Sequence, residues 1–420
     1  MIKIGIVGCG RILNAHLQGY RALRLAGVDN FRITALVDRR RSDAEMFARR
    51  GEGPPPRPPV LPPETGDSLA APHTYLSDFQ DDVDVAIFSD VQEMLDHGAV
   101  DAVNDFTPLG LHHQVGAAVL RAGKHLLTEK PLAISMAAAR RLVALAEQRG
   151  LALAVSEVVR QRQFTRAAGW AVRQGLIGDP QFAVIGSLGG PWSPRKIVAD
   201  TAWRHDKLHS AGGGAIDIGV HHFHLLRYVF GEVAWVSAVT RIFEPQRARK
   251  DPAGEVVEQV CATVDDTYLA AVGFQNDAIG QMLWSWAGHG EPLSIPGVPA
   301  FYGSRGCIKG SELIVDAGPR EPQRAPLIAR FEAGLSQKEK AAYFPFGLTD
   351  PFAILQYDWL LAIEHGRQPE TNGADGLRDL ACAFALLESA ELGRRVTLEE
   401  VLSGSTAAYQ AEIDAFYQLE

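Results

Sequence analysis

Apolar positions follow two different patterns along this chain. Up to about residue 155, short unbroken apolar runs alternate with segments whose apolar residues recur every three or four positions. The runs at 2–7, 31–37, 85–88, 100–106, 125–128 and 151–155 fit strands buried on both faces, which need no polar alternation. The segments 11–25, 44–48, 91–96, 112–122 and 136–149 fit the intervening helices. This alternation predicts an α/β Rossmann domain, a doubly wound parallel sheet, over residues 1–155.

From 156 to 420 the pattern changes. Longer strand-like runs at 181–187, 233–242, 267–274 and 279–286 are separated by turns, and Gln275-Asn276-Asp277 reads as a hairpin tip. These predict an α+β C-terminal domain with a large, mostly antiparallel sheet. Helices at 352–365 and 375–392 close the chain and are expected to pack back towards the Rossmann domain. One stretch breaks the first pattern. Residues 51–63 are dense in proline, which suits neither a helix nor a central strand, so about 50–84 reads as an insertion. It follows the helix after strand two, which runs away from the ligand edge of such a sheet. An extended, loosely packed path on the far side is the expectation, with an active-site lid or flap as the alternative.

A length of 420 residues agrees with two domains. The net charge is −9, and Arg39-Arg40-Arg41 is the main basic tract, so nucleic acid is not an expected partner. Cys9, Cys261, Cys307 and Cys382 lie far apart and read as reduced thiols. No apolar run reaches the 18 residues a membrane helix needs, and the strand after Lys3 leaves no room for a signal peptide. The expectation is a cytoplasmic protein without membrane contact.

The first strand ends in Gly8-Cys9-Gly10-Arg11-Ile12-Leu13. The first glycine permits a tight turn, and the second lets a pyrophosphate approach a helix N-terminus, where N–H groups and the helix dipole favour anions. Leu13 stands where a third glycine or alanine is usual. The second strand ends at Asp38, placed to accept hydrogen bonds from adenosine ribose hydroxyls. Asp38 favours NAD, with Arg39 near the adenine edge. The arginines that follow keep NADP as the alternative.

Further along come Thr107-Pro108 with His112, then Gly123-Lys124-His125, then Glu129-Lys130-Pro131. In the second domain Trp203-Arg204-His205 precedes Gly212-Gly213-Gly214, Asp217, Gly219 and His221. Asp217 and His221 are four apart, so one helix would place them on one face, where a carboxylate supports an imidazole as a general base. Gly303-Ser304-x-Gly306 and Ile363-x-x-Gly366-Arg367-x-Pro369 extend the set.

In these blocks and their spacing the chain resembles the glucose–fructose oxidoreductase / inositol dehydrogenase / MocA (Gfo/Idh/MocA) family. Leu109 departs from that family's usual asparagine. The resemblance implies an NAD(P)-dependent oxidoreductase acting on a secondary alcohol of a sugar, sugar derivative or cyclitol. It implies that Thr107, Pro108 and His112 line the nicotinamide side, that Glu129 and Lys130 sit at the active centre, and that Pro131 commonly follows a cis peptide. His221 would be the general base, supported by Asp217, and Lys130 would hydrogen-bond the reacting oxygen in an interdomain cleft. Trp203, Arg204 and His222 are candidate substrate contacts. Trp192, Trp284 and Trp286 could stack on a sugar ring or simply pack in the core. No metal is expected. A zinc site among His205, His209, His222 and His224 is the weaker reading beside pocket lining. Two rivals stay open: an NAD-dependent glycosidase working by transient oxidation and elimination, and a non-catalytic NAD(H) sensor. The long second-domain strands, with Trp235 and Val239 among them, predict a homodimer or homotetramer built on that sheet.

Overall fold

The computed structural model describes residues 1–59, 61, 63–189, 201–251, 255–293, 295 and 297–419. Trp192 lies outside them. The chain divides into two compact units: Met1–Ile134, Ala138–Gln161 and Phe344–Leu377 form the first, and Ser135–Ala137, Arg162–Tyr343 and Arg378–Glu420 the second.

The first unit is built on six parallel strands: β1 (Ile2–Val7), β2 (Phe31–Val37), β3 (Ala86–Phe88), β4 (Ala102–Asp105), β5 (His125–Glu129) and β6 (Leu153–Ser156). Their order is β3-β2-β1-β4-β5-β6, the doubly wound order that the apolar runs predict. Connecting helices are α1 (Leu13–Leu25), α2 (Arg41–Ala48), α3 (Val91–His97), α4 (Leu109–Arg121) and α5 (Met136–Arg149). Strand β1 is buried except at Lys3, since both faces of the sheet are covered. Tyr20 of α1 is fully buried and donates to Asn104 Oδ1 at 2.7 Å, so its hydroxyl is satisfied inside the core.

The insertion does not follow the expected path. It crosses α1 and α2 and returns to the glycine turn at the carboxyl end of β1. Gln18 donates to Thr74 Oγ1 at 2.5 Å, the His73 ring meets the Met46 carbonyl at 3.1 Å, and Arg50 pairs with Asp78 at 2.8 Å. Leu61, Ala70 and Leu76 are buried, and the Arg57 guanidinium donates to the Cys9 carbonyl at 2.6 Å. Proline excludes ladder pairing, but it does not prevent a segment from docking through its flanking apolar and polar side chains.

The second unit contains α6 (Gln163–Arg173), β7 (Pro180–Leu188), α7 (Lys207–Ser210), α8 (Gly214–Asp217), α9 (Gly219–Phe230), β8 (Val233–Arg241) and the hairpin β9 (Gln246–Lys250) with β10 (Val256–Cys261). Then come β11 (Thr267–Phe274), β12 (Ile279–Ser285), β13 (Ala300–Gly303), β14 (Gly306–Lys309), β15 (Glu312–Ala317), β16 (Arg320–Pro326), α10 (Leu327–Gly334) and α11 (Gln337–Tyr343). The chain re-enters the first unit with α12 (Pro351–His365). It leaves along α13 (Gly373–Leu392) and ends in β17 (Val396–Thr397), α14 (Leu398–Ser403) and α15 (Ala411–Tyr417). Helix α12 starts sharply because Asp350 accepts from the Ala353 N–H at 2.8 Å and Pro351 follows; it ends at Gly366 in the left-handed region. It packs on α1, with Phe352, Trp359 and Leu360 joining the core of the first unit.

Nine strands form the second sheet, in the order β16-β15-β14-β13-β7-β12-β11-β8-β17, with β7 and β12 parallel and the other neighbours antiparallel. The β11–β12 hairpin turns at residues 275–277 as predicted. One face is covered: Phe230 of α9 meets Phe274 and Phe301 with ring centroids 5.5 and 5.4 Å apart. The opposite face leaves Val239 and Leu269, directly paired across strands, exposed at 52% and 45%.

Candidate active site

In the first unit the expected cofactor elements follow the carboxyl ends of neighbouring parallel strands. The glycine turn follows β1, Asp38 follows β2, Thr107 follows β4, and Glu129 closes β5. Open parallel sheets hold their ligands at this edge. Gly8 takes φ +92°, and a Cβ there would lie 2.6 Å from the Phe106 carbonyl oxygen, so the turn requires glycine. Gly10 has only open space where a Cβ would stand. Helix α1 begins after Ile12, with no side-chain cap and no acidic residue in its first turn. The Leu13 and Ala15 N–H groups turn back to the carbonyls of Gly10 at 3.3 Å and Ile12 at 3.0 Å, so an anion here would meet chiefly the partial positive charge of the helix end. This turn of Gly8, Gly10, Arg11 and Ile12 fits a dinucleotide pyrophosphate. Burial, then the charge of Asp38, pushes the Cys9 thiol well above the usual range, which disfavours the thiolate form.

The Asp38 carboxylate accepts the Cys9 N–H at 2.9 Å and the Arg40 N–H at 3.0 Å, which fixes it beside the turn. Arg40 pairs with Asp43 at 2.6 Å and Arg41 with Glu45 at 2.9 Å, while Arg39 is exposed beside Asp38. The Thr107 N–H and hydroxyl both donate to Asp105 Oδ1, at 3.1 and 2.7 Å, and Pro108 precedes α4. Burial raises the Asp105 pKa, against the pull of His112 and the Thr107 and Thr128 hydrogen bonds. His112 is 1% exposed, and its ring nitrogens face the carbonyls of Pro131 at 2.8 Å and Thr107 at 2.9 Å. The ring ties the Thr107 turn to the Pro131 turn, where the Lys130–Pro131 peptide is cis.

Glu129 meets His16 Nε2 at 2.7 Å and accepts the Lys130 N–H at 3.1 Å. Burial alone would raise its pKa. The His16 bond and charge, with Lys130 and Ser156, instead hold it below the usual carboxylate range. Half-buried Lys130 follows directly at the end of β5. His16 belongs to none of the sequence motifs. It is fully buried, stacks on Phe106 with centroids 3.7 Å apart, and has Gln356 Nε2 3.3 Å from Nδ1. A histidine on the apolar face of a helix needs a buried partner, and that is the one signal the sequence offers for it.

In the second unit Trp203 and Arg204 lie on a 3₁₀ turn, Ala202–His205. The Arg204 guanidinium stacks 4.6 Å over the Trp203 ring, and its Nε stands 3.5 Å from Asp217 Oδ2. Asp217 and His221 do not share one helix. Asp217 ends α8, Ile218 (φ −109°, ψ −38°) breaks the run, and His221 lies in the first turn of α9. The start of α8 is set by the glycine turn before it. Gly213 N–H and Ala215 N–H both donate to the buried carboxylate of Asp265 at 2.8 Å, and a Cβ on Gly213 would fall 1.6 Å from the Asp265 carbonyl oxygen. That clamp starts α8 only one turn before Ile218. Burial pushes Asp265 up to about 6, opposed by those two N–H bonds. His222 Nδ1 lies 2.9 Å from the Tyr268 hydroxyl, and its ring stands edge-on to Trp284 with centroids 5.8 Å apart.

The other histidines separate. His205 is buried with Nδ1 2.6 Å from Arg247, whereas exposed His209 meets Asp206 at 3.3 Å. His224 is fully buried, 2.6 Å from Asp379, which also holds Arg227 at 2.5 Å. Burial opposes the Asp379 charge, but His224 and Arg227 outweigh it and lower its pKa. Among the described residues no three metal-ligating side chains gather, and no helix is long and apolar enough to cross a membrane.

Comparison with known proteins gives two family matches. Residues 68–157 match the oxidoreductase family with an NAD-binding Rossmann fold, and 165–309 match the GFO/IDH/MocA C-terminal domain. A 1,5-anhydro-D-fructose reductase of Ensifer adhaerens is 27% identical over 74% of this chain and 83% of its own length. A D-apiose dehydrogenase of Paraburkholderia graminis is 24% identical over 95% of this chain and 90% of its own. Among solved structures, a levoglucosan dehydrogenase in complex with NADH and L-sorbose shares the fold with a TM-score of 0.70, at 20% identity, covering 96% of this chain and all of the other.

Proposed function

This chain belongs to the Gfo/Idh/MocA family of oxidoreductases with an NAD-binding Rossmann fold, and from that premise we propose that it oxidises or reduces a secondary alcohol of a sugar, sugar derivative or cyclitol. The observation that carries this reading is the ligand edge of the first unit. An uncapped glycine turn, a fixed ribose-side carboxylate and the Glu129–Lys130–cis-Pro131 turn follow the ends of neighbouring strands. Substrate class rests on the relatives, whose names include a reductase of an anhydro-sugar and dehydrogenases of apiose and myo-inositol.

NAD, when bound, supplies the redox chemistry at its nicotinamide. The chain manages position and protons. Gly8, Gly10, Arg11 and Ile12 hold the pyrophosphate, Asp38 and Arg39 the adenosine ribose, and Thr107 and Pro108 the nicotinamide end, with His112 bracing their turn. His221 takes the hydroxyl proton from the substrate during oxidation and returns it during reduction. Asp217, shared with Arg204, steadies the charge that then forms on the imidazole. Lys130 donates a hydrogen bond that stabilises negative charge developing on a substrate oxygen, while Glu129, bonded to His16, fixes the turn that carries Lys130. Trp203, Arg204 and His222 contact the sugar.

A panel of sugars and cyclitols offered with NAD tests the proposal. At least one should give steady accumulation of free NADH. His221→Ala and Lys130→Ala should each lower kcat on that substrate by about 100-fold or more, the scale of a general acid–base group. NADH affinity should stay unchanged in His221→Ala. Glycoside cleavage without free NADH would favour the oxidation–elimination route, and near-normal turnover in His221→Ala would remove it as the base.

A further inference from the structure

The proline-rich segment reaches the place where a dinucleotide has to bind. Its Arg57 donates to the Cys9 carbonyl at 2.6 Å, while the Cys9 N–H holds Asp38 at 2.9 Å. The glycine turn is therefore gripped from both sides, by the β2 acid and by the insertion. Pro58 and Pro59 line a small pocket together with Gly10, Arg11 and Asn14 of the turn and α1. The segment is followed by residues 73, 74 and 78, which bond to Met46 of α2, Gln18 of α1 and Arg50.

The Arg57 guanidinium pairs only loosely with Asp43, at 3.7 Å, a carboxylate that also holds Arg40 at 2.6 Å. One of its N–H groups is used on Cys9, and the guanidinium side chain is 30% exposed. A planar guanidinium beside an uncapped helix N-terminus suits the oxygens of a phosphate. Arg39 and Arg57 add positive charge at this turn, beside the Asp38 carboxylate and the Arg40–Asp43 pair.

We propose that residues 51–59 are a wall of the dinucleotide site and that Arg57 binds a phosphate group of the dinucleotide at its adenosine end. The phosphate is either the pyrophosphate, common to both nicotinamide dinucleotides, or the 2′-phosphate carried by NADP(H) alone. The inference rests on dinucleotide binding by the first unit and not on the carbohydrate reading, so it is tested by binding without turnover.

Full-length protein, Arg57→Ala and Arg57→Lys are titrated with NADH and NADPH by nucleotide fluorescence at low and moderate salt, with melting temperatures recorded. If the pyrophosphate is the partner, Arg57→Ala weakens both nucleotides by about tenfold or more; if the 2′-phosphate is, only NADPH weakens. In either case the salt dependence of the affected Kd flattens and Arg57→Lys recovers part of the loss. Affinities within twofold of the parent at low salt would overturn the proposal. A loss whose salt dependence matches the parent would also overturn it, because Arg57 would then only prop the Cys9 carbonyl.

Discussion

Asp38 shows how a single side chain sets a preference. Its carboxylate accepts the N–H groups of Cys9 and Arg40, so its charge is held beside the glycine turn and opposes a phosphate on the ribose. NADH should therefore bind more tightly than NADPH in the parent protein, by about tenfold or more, the combined effect of one missing ribose hydrogen bond and one added charge repulsion. Parallel fluorescence titrations check this, and equal or tighter NADPH binding would mean that the surrounding arginines outweigh the acid. Asp38 is legible in the sequence because strand ends and glycine spacing mark its place. His16 and Asp379 are not. Each acts through a partner more than 100 positions away, Glu129 and His224 respectively, and no local pattern signals such a pairing.

At the scale of elements, the parallel strands and their helices can be read directly, since buried strands and amphipathic helices write different periods into the chain. The α8–α9 break cannot. A four-residue spacing fits one helix, and nothing local marks the interruption at Ile218; even the start of α8 is set by Asp265, about fifty positions later, clamping Gly213 and Ala215. The insertion departs from its expected path for a related reason: proline density describes what a segment cannot pair with, not where its neighbours dock it. Asp265 gives a pH-dependent test. Its folded pKa is raised to about 6, above the ordinary aspartate value, so between about pH 4 and 6 the folded protein binds more protons than the unfolded chain. Its contribution to stability is fullest below that window and is lost as pH rises through it. Asp265→Asn lacks this titration. The stability advantage of the parent over the variant, from chemical denaturation, should shrink by roughly 2–3 kcal/mol between pH 4 and 7. A pH-independent gap would show that Asp265 is not held in this way.

For the whole molecule, two units supply different parts of the proposed chemistry, and the sheet of the second presents an apolar face. Val239, Leu269 and Ile279 are exposed at 52%, 45% and 49%, and the first two pair directly across β8 and β11. Exposed apolar strand residues of this kind often belong to an interface, and we propose a homodimer or homotetramer through this sheet. Trp235, on the same strand as Val239, is instead covered by the Arg395 guanidinium at 4.0 Å. Light scattering at micromolar concentration should give a mass at least twice that of one chain, and Leu269→Asp with Val239→Asp should lower it; a monomeric parent would refute the interface. The proposed reaction moves a hydride from a carbohydrate carbon to the nicotinamide. Its most direct measurement uses the best substrate of the panel, deuterated at the carbon it oxidises, with the nucleotide recovered after turnover and analysed by mass spectrometry and NMR. One deuterium is expected at nicotinamide C4 for every substrate oxidised, with the rate of its appearance falling about 100-fold or more in His221→Ala. Deuterium found in solvent, or retained on the sugar with no labelled NADH, would contradict it.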